Sequence, residues 1–353
     1  MAGARRILLA QTSFLGDVVL STSLAQALAR TDPEGEVWWL VRAGLAPVVA
    51  PLVGVDRVLV LDKRGADRGV AGLLASARRI RRLGFDAAVA AQRSVRTGLL
   101  LALARIPLRV GYAGSPGSPF YTRRVARGGA HARDRLLALA EPFGGAGPPP
   151  APTLRVDEAA AARVAARLEA EGIGAGESLL ALAPGSAWPT KRWPAESFAA
   201  AAERLIPGRA ERAVIVGGAA EASLGAAILS RLGRERVLDW TGTTGVADLM
   251  ALLARASLVL ANDSGPAHVA AALGRPVVAV FGPTVPEQGF APLGRWVRVV
   301  GRSLECRPCS RHGGSRCPLG THACMRGLAS EAVVGASLEL LAEAGHTRGG
   351  LRA

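Results

Sequence analysis

Short apolar runs alternate with segments of helical period along almost the whole chain, and this alternation leaves few folds open. RRILLAQ (5–11), EVWWLVR (36–42), DRVLVL (56–61), FDAAVAA (85–91) and LRVGY (108–112) read as strands. Between them, GDVVLSTSLAQALAR (16–30), with apolar residues at 18, 20, 24 and 28, and the Arg-rich stretch 69–83 read as helices. Near-continuous apolar strands joined by helix-length crossovers predict a parallel sheet with helices on both faces.

The pattern stops at GGAGPPPAP (144–152), whose Gly and Pro residues continue neither element, and then restarts. Helix 157–171, strand 178–185, helix 194–205, strand 211–218, helix 220–232, strand 236–240, helix 246–255, strand 257–263, helix 265–273 and strand 275–282 follow in turn, with a last helix near 330–344. At 353 residues the chain can bury two cores. The expectation is an α/β protein of two Rossmann-like doubly wound domains facing across a cleft. An N-terminal domain spans 1–143, a Pro/Gly linker 144–152, and a C-terminal domain 153–353, which carries a Cys-rich loop at 306–324 and a closing helix. Ligands of such sheets bind at the carboxyl ends of the strands.

Composition narrows the partners. A formal charge of +15 predicts attraction to phosphates, anionic lipid surfaces or nucleic acid. Arg5-Arg6 is followed by an apolar run that Gln11-Thr12-Ser13 interrupts, so no signal-peptide core forms. No stretch approaches the ~20 apolar residues of a membrane span. A soluble, cytoplasmic protein is expected, with a basic face able to touch the membrane from inside.

Three strand-end loops carry the chemical signal. In QTSFLGDVVLS, Asp17 opens a helix; it reads either as a cap or first-turn carboxylate or as a general base. In LLALAPGSAWPTKRWPAESF, Pro184, Gly185 and Ser186 make a tight exit from a strand, and Lys191 and Arg192 stand between two Trp-Pro turns. A solvated basic turn is one reading; a rigid mount for a cation that meets a phosphate is the other. In LVLANDSGPAHVAAALGRPVVAVFGPT, Asn262-Asp263 ends a strand and Ser264-Gly265-Pro266 begins a helix, whose unpaired amides suit an anion. Asp263 could equally be a cap, and His268 a packed histidine. No GxGxxG follows the first strand and no GxxxxGK[ST] loop occurs, which argues against nicotinamide and P-loop enzymes.

In this order and spacing the loops resemble the ADP-heptose:lipopolysaccharide heptosyltransferases of glycosyltransferase family 9, most closely the heptosyltransferase II branch. The resemblance runs through GDVVLSTSLAQAL, PGSAWPTKRWP, GGAAE, NDSGPAHVAAALGRPVVAVFGPT and the tail CRPC…CP…CM. It implies a GT-B fold, with the nucleotide-sugar ADP-heptose on the C-terminal domain and a lipid A–core acceptor on the N-terminal one. It further implies that Asp17 is the catalytic base and that Lys191, with Ser186 beside it, neutralises the donor phosphates. Glu221 would hold the donor ribose, Asp263 would lie near the sugar, and Ser264 and Gly265 would form the helix start under the pyrophosphate, with His268 in support. The chemistry agrees: a base for the acceptor hydroxyl and positive charge for the departing diphosphate are what such a transfer needs. No Asp-x-Asp pair of the metal-holding kind is present, so no catalytic metal or other cofactor is expected. One departure is Ala187, where some relatives carry a hydroxyl.

Cys306, Cys309, Cys317 and Cys324 share one basic loop with His312 and His322. The first pair has the spacing of a zinc half-site and the second does not, so a structural zinc and reduced, loop-packing cysteines both remain open. The leading expectation is an inverting, metal-independent heptosyltransferase that meets the inner leaflet of the cytoplasmic membrane peripherally. The alternatives are a transferase or epimerase of the same fold with another donor or acceptor, and a basic nucleic-acid-binding protein. Against the last, the arginines are spread along the chain without the aromatic interleaving that stacks bases, and no specific nucleic acid is expected.

Overall fold

The computed structural model describes residues 5–144, 148–209 and 212–345, the side chains of 207–209 excepted. The chain divides into two compact units, Met1–Arg155 and Val156–Ala353. Residues 145–147 of the expected linker lie outside the described part. The stretch after them lies along the first unit: Gln26 donates to the Thr153 hydroxyl at 2.9 Å, and the Thr153 amide donates to the Thr22 hydroxyl at 3.1 Å.

The first unit contains strands β1 (Arg6–Gln11), β2 (Glu36–Arg42), β3 (Arg57–Leu61), β4 (Ala87–Ala90), β5 (Leu108–Tyr112) and β6 (Arg123–Val125). The second contains β7 (Leu179–Ala183), β8 (Arg212–Ile215), β9 (Val237–Asp239), β10 (Leu258–Asn262), β11 (Val277–Val280) and β12 (Val297–Val300). Each set forms one sheet, ordered β3-β2-β1-β4-β5-β6 and β12-β11-β10-β7-β8-β9. Every pairing is parallel. Counted from its own first strand, each sheet runs 3-2-1-4-5-6, the doubly wound order. The direction of winding reverses between β1 and β4 in one unit and between β7 and β10 in the other. Such reversals are where ligands of doubly wound sheets generally bind.

Burial explains the apolar runs. β7 and β10 are buried at every position, as are the inner residues of β2. The helix Gly69–Arg82 buries Gly72, Leu73, Ser76, Ala77 and Ile80, one stripe at helical period, and puts Arg79, Arg81 and Arg82 in its last turn, where cations suit the helix dipole. Leu8, Leu40, Leu101, Trp38 and Phe85 belong to a core within the first unit, and Leu180, Trp193, Phe198, Ile215 and Leu260 to another within the second. Each such aliphatic or aromatic side chain contributes about 1.5–3 kcal/mol of transfer free energy.

The helix expected over 16–30 is divided into Leu15–Leu20 and Thr22–Thr31 at Ser21. The side chains there compete with the helix ladder: the Ser21 hydroxyl donates to the Asp17 carbonyl at 2.8 Å, and the Thr22 hydroxyl to the Val19 carbonyl at 2.8 Å. Among the described residues no helix is long and apolar enough to cross a membrane.

Candidate functional site

In the second unit, the loops that follow β7, β8, β10 and β11 meet at the winding reversal. Asn262, fully buried, ties two of them: its amide nitrogen donates to the Pro184 carbonyl at 2.7 Å, and its oxygen accepts the Trp193 amide at 3.0 Å. The Trp193 indole is buried and donates to the Leu328 carbonyl at 3.1 Å. Pro189–Lys191 is a single 3-10 turn. The Trp-Pro loop is thus anchored at its far end and stiff within.

Its two cations have different tasks. Arg192 turns back on the loop, donating from Nε and one terminal nitrogen to the Ser186 carbonyl at 3.0 and 2.8 Å. Lys191 reaches across to β10, where its Nζ lies 2.6 Å from Oδ2 of Asp263. The side chains are only 12% and 7% exposed, so the pair is largely withdrawn from water. Thr284, at the end of the loop after β11, donates its hydroxyl to the same carboxylate oxygen at 2.6 Å. Charge pairing and this hydrogen bond offset the desolvation of Asp263; removing one partner of such a buried pair costs about 3–5 kcal/mol.

The cap of the following helix, Gly265–Ala272, is Ser264 rather than Asp263. The Ser264 side chain does not close its first amides; the hydroxyl donates instead to the Asn262 carbonyl at 3.2 Å. Ser264 and Gly265 are partly exposed, so the positive end of the helix opens beside the Lys191–Asp263 pair. His268 is buried one turn further along. Ser186 is buried at the exit from β7.

Glu221 ends the 3-10 turn Ala219–Glu221 after β8 and accepts the Gly218 amide on Oε2 at 2.8 Å. Its carboxylate lies against the backbone of Gly185: a β-carbon there would stand 1.9 Å from Oε1. A side chain at 185 would have to displace the Glu221 carboxylate. The structure therefore gathers Ser186, Lys191, Glu221, Asp263, Ser264 and Gly265 around one sheet edge.

Asp17 belongs to the other unit. It is the third residue of Leu15–Leu20, whose cap is Phe14, so Asp17 is a partly buried first-turn carboxylate and not the cap. The neighbouring reversal between β1 and β4 holds a polar network. Gln92 accepts from the Ser13 hydroxyl at 2.8 Å and donates to the Thr12 hydroxyl at 2.8 Å, and the Lys63 ammonium also donates to Thr12. Burial, and then the nearby charges of Arg96 and Arg42, push the Lys63 ammonium below its usual pKa. This strand edge is rich in cations.

The Cys-rich loop, for which the sequence leaves a structural zinc and reduced cysteines both open, shows the following arrangement. Among the described residues no group of three or more His, Cys, Asp or Glu side chains is placed to hold a metal ion. The four cysteines are thiols without a disulfide, and their surroundings divide them. Cys324 is buried and Cys309 faces the Pro283 carbonyl, burial raising both thiols; Cys317 takes the His322 amide, with those of Leu319 and Gly320 and the Thr321 hydroxyl, and is lowered. The loop is hydrogen-bonded to the Trp-Pro loop at Thr190.

Thr284, Asn262 and Arg307 had no assigned part in the sequence reading. The Arg307 guanidinium donates to the carbonyls of Phe281, Gly282, Thr284 and Arg302, fixing the turn that carries Thr284. The FGPT motif marked that turn, but nothing in the sequence ties it to Asp263.

Residues 73–318 match the family model described as glycosyltransferase family 9 (heptosyltransferase). The lipopolysaccharide heptosyltransferase 2 of Salmonella typhimurium is 27% identical over 313 residues, covering 84% of this chain and 87% of that protein. Among solved structures, a family 9 glycosyl transferase from Veillonella parvula superposes with a TM-score of 0.86 at 25% identity, covering 97% of this chain and 99% of that one. The ADP-heptose lps heptosyltransferase II of E. coli superposes with a TM-score of 0.80 at 23% identity, over 96% and 99% of the two chains, which places the fold among the GT-B heptosyltransferases.

Proposed function

The chain belongs to glycosyltransferase family 9, the heptosyltransferases, and from that premise we propose that it transfers a heptose from ADP-heptose to the inner core of lipopolysaccharide on a lipid A-linked acceptor. The activities named for its relatives support this donor and acceptor. The observation that carries the reading is the Lys191 ammonium, held 2.6 Å from Asp263 beside the uncapped start of Gly265–Ala272. A fixed cation and open amides at a strand edge are what a nucleoside diphosphate requires.

The reaction is read as a direct displacement with inversion. The acceptor hydroxyl oxygen bonds to the anomeric carbon as the bond from that carbon to the diphosphate oxygen breaks. The Asp17 carboxylate takes the hydroxyl proton, and the electron pair departs with ADP. Lys191 and the amides at Ser264-Gly265 stabilise the charge that develops on the diphosphate, with the Ser186 hydroxyl beside them. Glu221 holds the donor ribose, Asp263 orients both Lys191 and the sugar, and His268 supports the helix from within. No metal is assigned to these steps, because the cationic groups needed are side chains and amides of the chain itself. Lys63, Arg42 and Arg96 supply counter-charge for the anionic acceptor, and the net charge of +15 favours peripheral contact with the inner leaflet.

Lys191→Gln tests the donor site. Glutamine keeps a hydrogen-bond donor for Asp263 but removes the positive charge, which the diphosphate of ADP would meet and adenosine would not. A charge-assisted contact contributes about 1.5–3 kcal/mol, so ADP affinity should fall by about 10- to 100-fold while adenosine affinity changes little. Calorimetric titration of both ligands measures this. Equal losses for ADP and adenosine would remove the diphosphate from this site.

A further inference from the structure

Every polar atom of Thr190, the residue before Lys191, is bonded to the Cys-rich loop. Its amide donates to the Gly314 carbonyl at 3.2 Å, its hydroxyl donates to that carbonyl at 2.9 Å and accepts the Gly314 amide at 2.8 Å, and its own carbonyl meets Nε2 of His322 at 2.7 Å. A carbonyl only accepts, so Nε2 carries the proton. Gly313 lies so close that a β-carbon would stand 2.8 Å from Cβ of Trp188 and 3.1 Å from Cγ of Lys191.

His322 is itself held in an unusual conformation. Its φ of 52° is left-handed, which a residue with a β-carbon adopts only where its surroundings fix it. They do so here: its carbonyl accepts the amides of Met325 and Arg326 at 3.1 and 3.0 Å, and its ring is bonded to Thr190. The same loop grips the other wall of the site, through the Cys309 amide on the Pro283 carbonyl at 3.1 Å and through Arg307 on the turn that carries Thr284.

We propose that His322 is a positioning residue for the donor diphosphate, acting through the Thr190 carbonyl to hold the Lys191 ammonium against Asp263. The proposal rests on the donor reading above. The imidazole touches neither donor nor acceptor in this role; it sets the direction in which the adjoining lysine leaves the backbone. The Cys-rich loop is then part of the donor site's frame.

A near-isosteric pair separates this role from simple packing. In His322→Gln the side-chain nitrogen reaches where Nε2 stood and still donates; His322→Met fills the same space without a donor. The Gln variant should keep ADP affinity within about 3-fold, and the Met variant should lose about 10-fold for ADP and little for adenosine. Equal ADP affinities in the two variants would overturn the proposal. If Lys191→Gln discriminates ADP from adenosine while the Met variant does not, the donor site stands and the role of His322 falls. If Lys191→Gln itself fails to discriminate, both fall. Nitrogen NMR of the unaltered, histidine-labelled protein decides the matter even if the Met variant does not fold. With five histidines in the chain, the His322 signal is identified by its loss in the Gln variant. It should show a protonated Nε2 that shifts when ADP binds; a bare Nε2 would overturn the proposal.

Discussion

Asp17 stands in the first turn of Leu15–Leu20, where an acidic side chain suits the positive end of the helix whether or not it does chemistry. Asp17→Asn separates these roles, since the amide keeps size and polarity but cannot take a proton. Turnover should fall by ~100-fold or more with ADP affinity little changed, measured as heptose added to a heptose-deficient core acceptor. Near-normal turnover would leave Asp17 a structural carboxylate only. Strand-end position made Asp17, Lys191 and Asp263 readable from the sequence, because apolar runs mark where strands stop. Their partners were not readable. Lys191 and Asp263 are 72 residues apart, and His322 lies 132 beyond Thr190, so only the fold brings them together. The two basic neighbours in TKRW read alike, yet Arg192 braces its own loop while Lys191 crosses to another strand.

At the scale of elements, the contact between two loops rests on an absent side chain. Gly185→Ala would drive a β-carbon into the Glu221 carboxylate, where the nearest oxygen stands 1.9 Å away. Glu221 would have to swing off the Gly218 amide, so the variant should lose about 1–3 kcal/mol of stability and bind adenosine more weakly. Denaturant unfolding and adenosine titration check the two effects; unchanged values in both would show that Glu221 moves aside without consequence. The long apolar strands and amphipathic helices were legible because burial imposes their period. Missing from that reading were β6 and β12, each at the end of its sheet, the helix Val95–Leu103, and the short helices Ala46–Val49, Ala132–Leu137 and Ala323–Arg326. β6 is largely exposed and β12 only half-buried, so neither shows the apolar run of a central strand. The Val95–Leu103 helix carries apolar side chains around most of its circumference, and without a polar face it shows no period.

At the scale of the whole molecule, the chain divides into two compact units, and among the described residues each has an apolar cluster of its own. Calorimetry should therefore resolve more than one unfolding transition. ADP should raise the transition of the unit that carries Lys191, by about 2.7 kcal/mol at a concentration 100 times Kd. A single transition, or an ADP shift confined to the other one, would contradict this division of labour. Synthesis adds a timing consequence to the bonds between Thr190 and His322. At about 5–20 residues per second, the ribosome makes Thr190 roughly 7–26 s before the histidine that its carbonyl meets. Through that interval the strands around Lys191 and its partner Asp263 can form, but the Thr190 carbonyl lacks its histidine partner. On the proposed donor-site reading, nucleotide affinity would thus reach its full value late in translation, and a nascent chain halted before residue 314 would carry the donor-site motifs with a weakened hold on ADP.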